Sequence, residues 1–261
     1  MHFDLSDQYI HHPSVVHSLD PRVKVVTTLL YIFAIGITPE GIWWAFTLQF
    51  GLLLLIVISA HLNLLYIVRR SFIAVPFILA ALAVPFTMPG PEILHIPGLE
   101  WGITQPGLIR FASILLRAWL AVQAAILLSA TTRVPDMFWA LAELRFPRSL
   151  VATISFMYRY LFVLVNEAAR MLRARSSRSP KIKGAKKPSY LWQGKVAGSM
   201  VGNLFLRSLE RSERVYDAML SRGYDGQMRS MVRFQMKASD WVFISLVGSV
   251  LCLVQVFANL R

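Results

Sequence analysis

The chain has 261 residues, of which 56% are hydrophobic, yet it carries a formal charge of +13. A soluble domain with a polar surface rarely combines the two, whereas a polytopic membrane protein with basic loops does. The single cysteine, Cys252, excludes an intramolecular disulfide and any cysteine-built metal cluster.

Residues 1 to 21 are polar and include Asp4, Asp7 and Asp20, so they lack the basic flank and apolar core of a cleavable signal peptide. Five stretches then approach the roughly 20 apolar residues that a bilayer core requires. Residues 23 to 38 and 42 to 60 are separated only by "PEG", which predicts an antiparallel hairpin of spans. Residues 71 to 88 form the third, with Pro76 and Pro85 tolerated if neighbours take up the freed carbonyls. Residues 107 to 130 form the fourth and 240 to 260 the fifth. The fifth carries Ser245, Gly248, Ser249 and Cys252, a face of small side chains suited to close packing. Arg117, well inside the fourth span, is expected to face a partner or cavity, because a charge in hydrocarbon is costly.

Basic residues set the orientation, since cytoplasmic loops are enriched in them. Arg22 and Lys24 precede the first span, Arg69 and Arg70 follow the second, and the loop from 89 to 106 has two glutamates and no cation. Twenty of the 27 basic residues lie between 131 and 239. This pattern predicts an all-α membrane protein of about five spans, with a cytoplasmic amino terminus and an outward carboxyl terminus. Its regions are a four-span membrane part (1–130), a basic helical cytoplasmic domain (131–239) and a final span (240–261).

The basic domain is predicted to hold two long helices. Residues 149 to 178 begin apolar and end basic, as expected of a helix that starts along the membrane interface and emerges into cytoplasm. A sixth span here is the alternative, opposed by Arg159 and by the need to keep the flanking cations on one side. Residues 180 to 189 ("PKIKGAKKPS") have the composition of a mobile connection. From Gly198 to Leu220 apolar residues recur at helical spacing, and Gly223 supplies a left-handed terminus. Both helices are expected to end in a small-Arg-small triplet: Ala174, Arg175, Ser176 and then Ser221, Arg222, Gly223. Each would present an arginine with little steric cover. Ordinary caps on a lipid-facing domain would produce the same spacing.

With "HSLDPRVK" at 17 to 24, the two triplets and "RGYDG" at 222 to 226, the chain resembles the transmembrane T component of energy-coupling-factor ABC transporters, in the CbiQ-like cobalt and nickel branch. The family pattern at the tips is Ala-Arg-Gly, and this chain departs from it with Ser176 and Ser221. The resemblance implies a non-catalytic scaffold that couples two ABC ATPase subunits to a separate substrate-binding membrane component. It assigns Arg175 and Arg222 to contacts with the ATPases, which would bind the ATP. Membrane lipids are further expected partners, cobalt is the expected cargo and the cell membrane the expected location. A T component for nickel or a vitamin is the alternative, as is a non-transport assembly or lipid-binding protein.

Other patterns carry less. "QGKVAGS" at 193 to 199 lacks the upstream glycine and the hydroxyl of a phosphate loop, so ATP hydrolysis by this chain is not expected. His2, His11, His12 and His17 lack metal-ligand spacing. "EAAR" at 167 to 170 is similar to the coupling loop of other ABC importers, but the spacing beyond it does not match. Nucleic-acid binding is not expected, because the basic domain has only scattered aromatics and no recognisable binding fold.

Overall fold

A computed structural model describes residues 9, 14–89, 91–94, 103–178, 189–226 and 234–260. These residues are overwhelmingly helical: α1 (Val15–Ser18), α2 (Pro21–Ile37), α3 (Trp43–Ser59), α4 (Leu64–Arg70), α5 (Val75–Ala81), α6 (Val84–Thr87), α7 (Gln105–Thr131), α8 (Val134–Glu143), α9 (Arg148–Arg178), α10 (Tyr190–Leu220) and α11 (Ala238–Asn259). A short antiparallel ladder, β1 (Glu92–Leu94) with β2 (Ile103–Thr104), pairs Glu92 with Thr104. His2, His11, His12 and the connection from 180 to 188 lie outside the described residues.

Among the described residues, three helices are long and apolar enough to cross a membrane by length and composition: α7, α9 and α11. α3 is a shorter apolar helix. The stretch expected to form the third span is not one helix. A 3-10 turn (Ser71–Ala74) leads into α5, and α6 follows separately with Pro85 in its first turn. The prolines explain the breaks, since each lacks an amide donor and its ring crowds the preceding turn. α7 packs along these pieces. At Gly107 an added Cβ would lie 2.9 Å from Pro85 Cα, so only glycine permits that approach.

The described chain divides into two compact units. α9, α10 and the residues up to 226 form one, and the remaining helices form the other, which continues to Leu144. α8 packs on α2 and belongs to the larger unit.

In the larger unit the core runs through α2, α3, α7 and α11, around Ile35, Leu53, Val57, Leu120 and Val247. "HSLDPRVK" knits the ends of these helices together. Asp20 caps α2 by accepting from Arg22 N at 2.9 Å, and its own amide donates to the buried Asp240 of α11 at 3.1 Å. Lys24 is 7% exposed and donates to the carbonyls of His17 (3.0 Å) and Thr131 (3.1 Å), so it closes the carboxyl end of α7. Arg22 lies over the Trp139 ring at 4.4 Å and 3.7 Å from Glu143, both on α8.

At the other end of α2, Arg117 Nη2 donates to the Thr38 carbonyl at 2.6 Å. A cation is favourable against the unpaired carbonyls of a helix carboxyl end. Thr38 Oγ1 also accepts from Gln49 and Gln255, each at 2.9 Å, which ties α3 and α11 to the same point.

Candidate functional site

α9 and α10 pair in an antiparallel sense. Glu167 of α9 meets Arg207 of α10 at 2.8 Å, while Phe156, earlier in α9, stands edge-on to Tyr224, beyond α10, with centroids 6.4 Å apart. Glu167 also accepts from Arg170 Nε at 3.1 Å. Hydrogen bonds from Arg170 and Arg207 hold the Glu167 carboxyl below the usual carboxylate range. Its ion pairs are therefore intact at neutral pH.

The second triplet closes α10 by a Schellman arrangement. Tyr224 N donates to the Met219 carbonyl at 3.0 Å and Gly223 N to the Leu220 carbonyl at 2.9 Å, with Gly223 at φ +79°. This hydrogen-bond pattern makes Arg222 the cap residue and Gly223 the left-handed one. No atom comes within 4 Å of a Cβ built at Gly223, so its glycine requirement is purely conformational. Ser221, Arg222 and Gly223 are all exposed. Tyr224, half-buried against Phe156, anchors the turn from which Arg222 projects.

The first triplet sits differently. Ala174, Arg175 and Ser176 lie within α9, which continues to Arg178. Contrary to the expected helix end, no cap forms at Ser176, whose hydroxyl instead donates to the Arg173 carbonyl at 2.7 Å. Serine gains nothing from the left-handed region that glycine would occupy, and its back-bond is compatible with continued helix. Ala174 and Ser176 are exposed and Arg175 is half-buried.

The structure does not bring the two arginines together. Arg222 shares a groove with Arg159. Arg175 is 16 residues further along α9, about 24 Å at the helical rise. They occupy separate positions on one helical pair.

Residues 12–233 match the CbiQ family, described as cobalt transport protein. The chain belongs to the CbiQ family. It is 30% identical, over 92% of its length and 91% of the relative's, to the energy-coupling factor transporter transmembrane protein EcfT of Thermanaerovibrio acidaminovorans. The EcfT of Listeria innocua is 24% identical, with 84% of each chain covered. A putative fused cobalt transport protein CbiMQ of Methanocorpusculum labreanum is 28% identical over 62% of this chain and 27% of its own length. Like these relatives, this CbiQ-family chain is a membrane component of a transporter and not an enzyme.

No group of three or more His, Cys, Asp or Glu side chains that could hold a metal ion occurs among the described residues. His17 is engaged with Ser14, its Nδ1 lying 2.6 Å from the Ser14 hydroxyl.

Proposed function

We propose that this chain is the scaffold and energy-coupling subunit of an importer for cobalt, joining two ABC ATPase subunits to a substrate-binding membrane component. ATP is held by the ATPases, and the chain itself supplies no cofactor site. Arg175 and Arg222 are the contacts to the ATPases. The amino terminus lies in the cytoplasm and the carboxyl terminus outside, in keeping with the distribution of basic residues.

The observation that carries this proposal is the Arg222 tip. An exposed guanidinium is aimed by a glycine cap and a tyrosine anchor, in a chain whose family is a transporter family. A guanidinium fork binds carboxylates or carbonyls in a partner's groove bidentately, which lysine does less well. Movement of the ATPases on binding ATP would pass through α9 and α10 to the substrate-binding partner.

The test is copurification of the ATPases with the wild type and with Arg175→Ala, Arg222→Ala and the double variant, alongside cobalt uptake with nickel as competitor. Each single change is expected to lower ATPase recovery and uptake while leaving membrane insertion intact. The double change is expected to lower both more than either alone, because two linked contacts reinforce each other through effective concentration. Wild-type recovery and uptake in the double variant would refute the coupling role, and preferential nickel uptake would refute the cargo.

A further inference from the structure

The α9–α10 pair carries two grooves that share a wall. The first holds Arg159 of α9, Arg211 and Arg214 of α10 and Arg222 just beyond it, and no carboxylate is among its described lining residues. The second is apolar, with Met157, Leu164 and Leu209. Phe156, Tyr160, Arg211 and Val215 border both. A cationic slot therefore opens directly beside an oily one.

The charges of the first groove are poorly compensated. Among the described residues, Arg159, Arg211 and Arg222 have no ion-pair partner, and Arg214 has only Glu210, at 3.9 Å. Elsewhere on the same pair, Glu167 takes up both Arg170 and Arg207. Guanidiniums gathered on one face repel one another unless an anion joins them. The surroundings of Arg159 indicate which anion. It lies in the apolar part of α9, a helix apolar enough to enter a bilayer, with Met157 and Leu161 exposed beside it. An arginine so placed extends its head to the level of lipid phosphates.

We infer that the joined grooves bind one anionic phospholipid, its phosphate among Arg159, Arg211 and Arg214 and an acyl chain along Met157, Leu164 and Leu209. Guanidinium forks fit phosphate oxygens bidentately, and burying the chain removes apolar surface from water. An acidic protein segment or free phosphate would satisfy the arginines but leave the apolar slot unfilled. Arg222 lines the same groove, but the lipid test varies Arg159 and Arg211 and leaves Arg222 in place, so its outcome is separate from the coupling role proposed for Arg222.

The experiment is native mass spectrometry of the full chain in detergent with phosphatidylglycerol, or with phosphatidylcholine of the same acyl chains, and inorganic phosphate as competitor. The wild type is expected to retain phosphatidylglycerol over phosphatidylcholine and to keep it in excess phosphate. Loss of two charge-assisted contacts in Arg159→Gln/Arg211→Gln is expected to weaken phosphatidylglycerol roughly tenfold or more. Arg159→Gln alone gives a smaller loss in the same direction. Arg170→Gln/Arg207→Gln removes the same formal charge and is expected to leave affinity unchanged. Leu164→Asn/Leu209→Asn is expected to weaken the lipid as well. Equal retention of both lipids, displacement by inorganic phosphate, equal loss in both arginine pairs, or wild-type affinity in Arg159→Gln/Arg211→Gln would each overturn the proposal.

Discussion

The two units of this chain treat charge in opposite ways. In the larger one, ionic groups are structural: Lys24 closes the end of α7, Asp240 holds the amides of Asp20 and Lys237, and Arg117 covers the end of α2. In the α9–α10 unit most arginines are exposed and only some are neutralised. A buried charge must be satisfied inside the fold, because leaving it unpaired costs several kcal/mol. An exposed one costs little, and so remains available to a partner. The difference separates groups that hold the protein together from groups that face outward for use.

The comparison breaks most sharply at Asp240, which is 2% exposed. Asp240→Ala strips the acceptor from two backbone amides and is expected to cost about 3 kcal/mol. Asp240→Asn keeps one acceptor oxygen and is expected to cost less. Thermal unfolding in detergent, followed by loss of the monodisperse elution peak, measures both. Equal stability of alanine and asparagine would show that these hydrogen bonds are not what Asp240 provides.

Next in size is Gly223. Valine there carries a left-handed penalty of about 1–2 kcal/mol and redirects the chain beyond Arg222, although no charge is deleted. Uptake at matched membrane levels is expected to fall nearly as far as in Arg222→Ala, with Gly223→Asn milder because asparagine tolerates this backbone. If valine and asparagine both behave as wild type, the cap geometry has no functional weight.

The smallest effect is expected at Glu167. Glu167→Gln removes exposed ion pairs, and no measurable change in thermal unfolding is expected. The sign with pH follows from its lowered carboxyl value. Any contribution is complete above the ordinary glutamate value of about 4.3 and is lost as acid passes through the lowered one. Acid titration of helical circular dichroism is thus expected to be flat from neutral pH to that range, in wild type and variant alike. A clear difference near neutrality would move Glu167 into the structural class of charge.

Sequence alone made the helical class, the spans at α7 and α11 and the α10 terminus legible, since hydropathy and a glycine after an amphipathic run are local signals. It missed the broken segment from Ser71 to Thr87, where Pro76 and Pro85 were expected to be absorbed within one span. It expects the Ala174–Ser176 triplet to close its helix, whereas α9 runs on to Arg178, because serine enters the left-handed region far less readily than glycine. The apolar period of α10 begins at Gly198 while the helix begins at Tyr190, because the first two turns are exposed and show no such period. Arg117 is expected to face a partner, and does, but which groups Lys24, Arg117 and Asp240 meet is not legible. Their partners are set by packing between distant segments, which no local pattern records.

The bond between Asp20 and Asp240 joins positions 220 residues apart. During synthesis the amide at the entrance of α2 therefore has no such acceptor until the last described helix has been made. The hydrophobic core has the same dependence, since Val247 and Leu251 of α11 complete a cluster begun by α2 and α3. Membrane insertion can proceed span by span, but closure of the bundle waits for α11. A chain that ends before Ala238 lacks both the acceptor for the Asp20 amide and the side chains of α11 that fill this cluster.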